Sequence, residues 1–205
     1  KIKKTYGYAG IISVLTPSAD REKPQCALYR KCGGCQIQPL RYEKQLDLKQ
    51  KKIFDSLVRI GGFDREEIAG IFAPMVGMDV PYRYRNKAQF PVGTDKNGDP
   101  VVGFYAAHSH NIIPVSDCLL GVADNRGIVE AVLAYMKECH VPAYNETKQS
   151  GLIRHILIRY GFSTKEIMVC LIINGTKLPF SDSLVSRLAL IEGMKSISVN
   201  QNREN

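Results

Sequence analysis

The sequence predicts an α+β fold built around a largely antiparallel sheet. Segments rich in β-branched and aromatic residues predict strands. These lie at residues 82–92, 101–105, 110–115, 152–160, 166–173 and 195–200. Apolar residues at helical spacing predict helices at residues 42–60, 122–139 and 181–192. Strand pairs joined by short polar turns and interleaved with single helices are typical of antiparallel α+β domains.

The first 25 residues resemble the end of a β-structured module. The run from Tyr6 to Leu15 is aromatic and β-branched, and a polar linker from Pro17 to Pro24 follows it. Such a segment is too short to close a barrel, because even a small barrel needs several strands.

A basic amphipathic helix follows, and the Gly61-Gly62 pair provides its stop signal. Its apolar residues near helical spacing are Tyr42, Leu46, Ile53, Leu57 and Ile60, and its lysines are Lys44, Lys49, Lys51 and Lys52. Two interpretations remain open, a solvated surface helix and a helix that contacts phosphate groups.

The predicted strand at 82–92 separates two faces by strict alternation. One face carries Arg83, Arg85, Lys87 and Gln89, and the other carries Tyr84, Asn86, Ala88 and Phe90. Three cations at period two could follow a phosphate backbone, or they could form an ordinary polar outer face.

The remaining elements follow from local signals. The turn at 96–99 predicts a hairpin into the second strand, and residues 161–165 predict another between the fourth and fifth strands. The middle helix has Ile128, Val132 and Met136 on one stripe, and Ser181 is the predicted N-cap of the last helix.

Composition and charge exclude several classes of protein. The 205 residues are 44% hydrophobic and 23% charged, which is ordinary for a globular chain and too apolar for disorder. No apolar run reaches the length of a membrane span, and no signal peptide is recognisable. The net charge of +8 resides in residues 1–60, with 13 basic and 5 acidic side chains against 15 of each in residues 61–205. This asymmetry indicates either a phosphate-rich partner or a surface tuned for solubility.

Four of the six cysteines are candidates for one metal site. Cys26, Cys32 and Cys35 lie within ten residues, and the Gly33-Gly34 pair allows the backbone to turn two thiols toward one centre. Cys118, at a predicted exposed turn, is the best fourth ligand. The spacing leaves zinc and iron–sulfur open, with His108 and His110 as substitutes in a zinc site. The other two cysteines, Cys139 and Cys170, are predicted to be small buried hydrophobes.

Common catalytic motifs are not found. The sequence contains no phosphate-binding loop of the Gly-x4-Gly-Lys type, no Gly-x-Gly-x-x-Gly after a strand and no Gly-x-Ser-x-Gly elbow. No complete active site is therefore predicted in this chain.

Four motifs, in this order along the chain, resemble those of the RNA (uracil-5-)-methyltransferases. They are Cys26-x5-Cys-Gly-Gly-Cys-Gln36, Tyr82-Arg83-Tyr84-Arg85-Asn86-Lys87, His110-x-Ile-x-Pro-Val-x-x-Cys118 and Ile153-Arg154-His155-Ile156-Leu157-Ile158-Arg159. Within this family the chain is most similar to the bacterial 23S ribosomal RNA enzymes that carry an iron–sulfur cluster. The resemblance covers the N-terminal and central parts of that family.

The resemblance implies a domain organisation. Residues 1–25 would be the last strands of a TRAM module, an OB-like barrel, and residues 26–40 the cysteine-cluster turn. Residues 41–62 would be the basic helix and residues 63–205 the central α+β domain. The family's methyltransferase domain would be absent from this chain.

The resemblance also implies a function. Cys26, Cys32, Cys35 and Cys118 would bind a [4Fe–4S] cluster, and Arg83, Arg85, Lys87 and Arg154 would contact ribosomal RNA. The full-length enzyme would be a cytoplasmic, S-adenosylmethionine-dependent methyltransferase that forms 5-methyluridine, whereas this chain would lack the S-adenosylmethionine pocket and the catalytic residues. The alternatives are a stand-alone zinc-knuckle RNA-binding protein and a transfer RNA enzyme of the same family.

Overall fold

The computed structural model describes residues 2–203, and within them the chain divides into two compact units. The first unit comprises the residues up to Gln25 together with Ile37–Gly77, and the second comprises Cys26–Gln36 together with the residues from Met78 onwards. Lys1, Glu204 and Asn205, at the ends of the predicted domain ranges, lie outside the described residues. Of the cysteine turn predicted at residues 26–40, residues 26–36 belong to the second unit and residues 37–40 to the first. The predicted domain ranges stay a prediction.

The first unit contains two helices, α1 (Tyr42–Arg59) and α2 (Arg65–Ile71). The prediction of α1 is confirmed. The sequence analysis missed α2, although its start carries a local signal. The Asp64 side chain caps this helix by accepting hydrogen bonds from the backbone N–H groups of Glu66 and Glu67.

Residues 2–25 contain an isolated bridge between Ile2 and Gly7 but no regular strand. Their large apolar side chains are exposed, and Ile12 is fully so. The assignment of this segment to a TRAM barrel therefore stays a prediction.

The second unit is a six-stranded sheet with two helices. Its elements are β1 (Lys87–Thr94), β2 (Pro100–Tyr105), β3 (Ile112–Pro114), α3 (Asn125–Glu138), β4 (Ile153–Tyr160), β5 (Ile167–Ile173), α4 (Ser181–Ala189) and β6 (Met194–Gln201). The strand order is β3-β2-β1-β4-β5-β6. All neighbours are antiparallel except β5 and β6. The prediction of an α+β fold with a mainly antiparallel sheet is confirmed.

The core lies between one face of the sheet and the two helices. Inward side chains of β1 and β4, such as Phe90, Ile156 and Ile158, pack in one cluster with α3 and α4. The predicted stripe of α3, formed by Ile128, Val132 and Met136, is buried there. Burial of large aliphatic side chains of this kind contributes about 1.5–3 kcal/mol each.

Two local predictions are wrong in detail. The strand predicted at 82–92 begins at Lys87, because Arg83 has a left-handed backbone (φ 57°) that no strand accommodates. Ser181 is the first helical residue of α4 and not its N-cap, a position held by Phe180 without a side-chain hydrogen bond. None of the helices in residues 2–203 is both long and apolar enough to cross a membrane.

Candidate functional site

The four predicted ligand cysteines line a single small cavity in the second unit. Cys26, Cys32, Cys35 and Cys118 surround about 90 Å³ together with apolar side chains and Arg85. None of the four forms a disulfide, and each is half-buried. Cys139 and Cys170 do not line this cavity, and neither do His108 and His110.

Local backbone contacts bring the cysteine turn to the sheet. The N–H of Gly33 donates to the carbonyl of Tyr105 at the end of β2, and Cys32 forms a bridge with Ala106. A Cβ on Gly33 would lie 3.1 Å from the backbone of Ala107, so a larger residue would press the turn away from the sheet. The glycine thus permits a close approach that places three of the thiols beside Cys118.

The electrostatics of the cavity reflect this proximity. Burial, and then the neighbouring thiols of Cys118, Cys32 and Cys26, raise the pKa of the Cys35 thiol, whereas the Arg85 cation lowers it. Four thiols around one cavity have the donor chemistry of a zinc or iron–sulfur site. Within residues 2–203, however, no three His, Cys, Asp or Glu side chains already stand in an arrangement that could hold a metal ion.

Arg83 holds the loop that carries Cys118. Its guanidinium forms a two-point ion pair with the Asp117 carboxylate, with a second hydrogen bond of 2.8 Å. It also donates to the carbonyl of Cys118 at 3.3 Å and to that of Gly121 at 3.2 Å. The ion pair lowers the pKa of Asp117, as expected for a carboxylate that accepts from a guanidinium. Arg83 is therefore engaged in positioning the Cys118 loop.

The four predicted RNA-binding residues do not form one straight ridge. The Arg83 side chain contacts the Cys118 loop, Arg85 lines the cysteine cavity, and Lys87 is the exposed first residue of β1. Arg154, near the start of β4, lies over the Tyr144 ring at 4.5 Å and donates to the carbonyl of Asn202. The alternation predicted for residues 83–87 requires an extended strand over those residues. The strand begins only at Lys87, so the side chains before it do not alternate between two faces of the sheet.

A second, larger cavity of about 490 Å³ is lined by residues of β1, β2 and β4, and sequence reasoning did not identify it. Glu146 accepts hydrogen bonds there from Tyr105 at 3.1 Å and contacts the His110 ring nitrogen at 2.9 Å. Arg154 and His155 line the same cavity. The β4–β5 register shifts between Ile153 and His155, a bulge that brings these two consecutive side chains to one cavity. A single strand gives no sequence signal for such a shift.

His155 predicts a pH dependence of stability. Burial, and then the neighbouring Arg154 cation, lower the pKa of His155, and Glu146 acts in the opposite direction. The unfolded chain therefore binds this proton more tightly than the folded protein, so the contribution is present above about pH 6.5 and is lost as the pH falls toward the folded pKa. We expect the free energy of unfolding to decrease as the pH is lowered from about 7 to 5, and His155→Gln to flatten this decrease.

Urea unfolding at several pH values measures this effect. His140→Gln, at an exposed histidine after α3, is the matched control. A His155→Gln profile as steep as that of the wild type would contradict the prediction.

Comparisons with known proteins identify relatives along the entire chain. An uncharacterized RNA methyltransferase of Clostridium tetani is 38% identical over 205 residues, covering 100% of this chain and 43% of the relative. One of Halalkalibacterium halodurans is 39% identical over 203 residues, covering 98% of this chain and 43% of the relative. The chain thus spans less than half the length of these curated relatives. No model of a known protein family matches the chain.

A solved structure shares the fold. The tRNA (uracil-54, C5)-methyltransferase of Pyrococcus abyssi, crystallised with S-adenosyl-L-homocysteine, superposes with a TM-score of 0.68 at 23% identity. The superposition covers 94% of this chain and 41% of that chain. This likeness shows the fold, and over its whole length the chain is similar in sequence to proteins named as RNA methyltransferases, of which it spans less than half the length.

Proposed function

We propose that this chain is the RNA-binding and iron–sulfur part of an S-adenosylmethionine-dependent methyltransferase that forms 5-methyluridine in ribosomal RNA. The observation that carries the proposal is the match of the whole chain to relatives named as RNA methyltransferases. The motif resemblance favours uracil C5 as the target atom. The S-adenosylmethionine pocket, the nucleophile and the base would lie in the part of the protein beyond this chain, so the chain alone is expected to be inactive.

In this proposal Cys26, Cys32, Cys35 and Cys118 hold a [4Fe–4S] cluster. The support is their donor chemistry and their position around one cavity, with Arg83 holding the Cys118 loop. When bound, the cluster would tie the cysteine turn to a loop more than eighty residues away and so add folding free energy. Its role would be to stabilise the unit and orient the RNA.

Arg85, Lys87 and Arg154 would contact RNA phosphate groups, and Arg83 would act on RNA through the loop it positions. Cationic side chains supply the sequence-independent part of RNA affinity. Exposure of Arg85 and Lys87 supports this role. Residues 1–25 would be the last strands of a TRAM module, and the protein would work in the cytoplasm.

A transfer RNA substrate is the second candidate, because the superposed structure is of a tRNA enzyme. Labelled S-adenosylmethionine should be incubated with the full-length protein and with ribosomal or transfer RNA separately, followed by nucleoside analysis. We expect 5-methyluridine in ribosomal RNA. If 5-methyluridine forms only in transfer RNA, the substrate is transfer RNA, the second candidate. If it forms in neither RNA, the proposed activity is refuted.

The metal is tested on this chain by an anaerobic absorption spectrum with iron, sulfide and zinc analysis. A [4Fe–4S] cluster predicts a broad charge-transfer band near roughly 400 nm, with iron and sulfide in equal amounts. A colourless chain that holds one zinc after anaerobic reconstitution would refute the cluster and favour a zinc-knuckle RNA-binding protein.

A further inference from the structure

Two cations oppose each other on the face of the sheet opposite α3 and α4. Lys87 of β1 pairs with Arg159 of β4 in the antiparallel ladder, so their side chains leave the sheet on the same side. The next pair inward, Ala88 with Ile158, points toward the core with α3 and α4. Lys87 and Arg159 therefore point away from the helices, and both are exposed.

This arrangement has no explanation in the stability of the sheet. Like charges directly opposite each other on neighbouring strands are destabilising. Neither Lys87 nor Arg159 forms an ion pair with a carboxylate in residues 2–203. The adjoining outward positions in the ladder, Gln89, Leu157 and Met168, are uncharged. Among the described residues of the unit, which end at Arg203, the two positive charges thus lack a neutralising partner.

The spacing of Lys87 and Arg159 allows both side chains to contact the same anion. Directly opposed residues have Cβ atoms about 4.5–5.5 Å apart, so two long cationic side chains can reach the same group. Arg85, two residues before Lys87, adds a third exposed cation beside the cysteine cavity. A phosphodiester group of RNA carries the complementary charge and accepts hydrogen bonds from both guanidinium and ammonium groups.

We propose that Lys87 and Arg159 together bind one phosphate group of the RNA, and that the RNA strand lies on the exposed part of the outer face of β1 and β4, at these two residues. The inference rests on the proposed RNA-binding function. It adds Arg159 as a binding residue and assigns the RNA a surface on the sheet. The mutual repulsion of the two cations is relieved when the phosphate binds.

Fluorescence anisotropy of a labelled, uridine-rich single-stranded oligoribonucleotide tests this on the whole chain over a range of salt concentrations. Lys87→Gln and Arg159→Gln should each weaken binding about five- to tenfold and lower the salt slope by about 0.7. Because both side chains hold one phosphate, the double variant should lose less affinity than the product of the single losses. Both single variants should unfold at the wild-type temperature or slightly above it.

Lys177→Gln is the matched control, since Lys177 is an exposed lysine in the loop after β5. If the wild-type chain binds the oligonucleotide and the pair variants bind as well as the Lys177 variant, the phosphate pair is refuted while RNA binding stands. The face would then be assigned to a protein contact. Pair variants that lose both affinity and thermal stability would also refute it, because their role would be structural. A wild-type chain that binds no RNA would refute the proposed function and this inference together.

Discussion

Cys118→Ser is expected to abolish stable binding of the proposed cluster, lowering the iron content from about four atoms per chain to below about one. Cys118 is the one predicted ligand outside the cysteine turn, and it reaches the shared cavity from the loop between β3 and α3. Without its thiolate one iron would lack a protein ligand, and the remaining three thiolates would all come from a single short segment. Metal analysis and the absorption spectrum after anaerobic reconstitution measure the loss.

The same variant separates a structural role of the cluster from a purely RNA-contacting one. If the cluster supplies folding free energy, Cys118→Ser should unfold at a lower temperature than the loaded wild type. Cys139→Ser is the matched control, because Cys139 caps the C-terminus of α3 away from the cavity. Equal iron loss in both variants would contradict the proposed ligand set. Unchanged unfolding of Cys118→Ser together with lost RNA binding would contradict the structural role.

Gly151→Ala is expected to destabilise the second unit by roughly 2–4 kcal/mol. Gly151 has a φ of +100°, a backbone conformation that residues other than glycine rarely adopt. An added Cβ would also clash with the carbonyl oxygen of Ala143, a backbone atom that cannot rotate away. Relief requires the bridge between Ala143 and Ile153 to open, at the point where β4 begins.

The unfolding temperature of Gly151→Ala should be about 4–16 °C lower than that of the wild type. Gly127→Ala is the control, because Gly127 lies exposed in α3 with no atom near an added Cβ. The same substitution there should stabilise the protein by about 0.5–1 kcal/mol through helix propensity. Equal unfolding temperatures for the two variants would contradict the assigned conformation of Gly151.

The elements with a strong internal period were predictable from the sequence. The apolar stripe of α3 and the β-branched run of β5 are patterns within one continuous segment. The positions of these elements can therefore be predicted from the local sequence. The Cys-Gly-Gly-Cys turn belongs to the same group, since two glycines specify a sharp bend wherever the turn packs. The short helix α2 also has a local signal, its Asp64 N-cap. Its seven residues are too few to show a clear helical period of apolar side chains.

By itself, then, the sequence determined the α+β class, most strand and helix positions and the four candidate thiols. Only the tertiary structure decided that Arg83 leaves the strand to hold Asp117, that β6 joins β5 in parallel and that Lys87 opposes Arg159. The physical reason is that alternation and helical spacing are properties of one segment, whereas ion pairs and strand register join residues far apart in the chain. Such contacts are selected by the packing of the whole unit, and no local pattern encodes which partner a side chain meets.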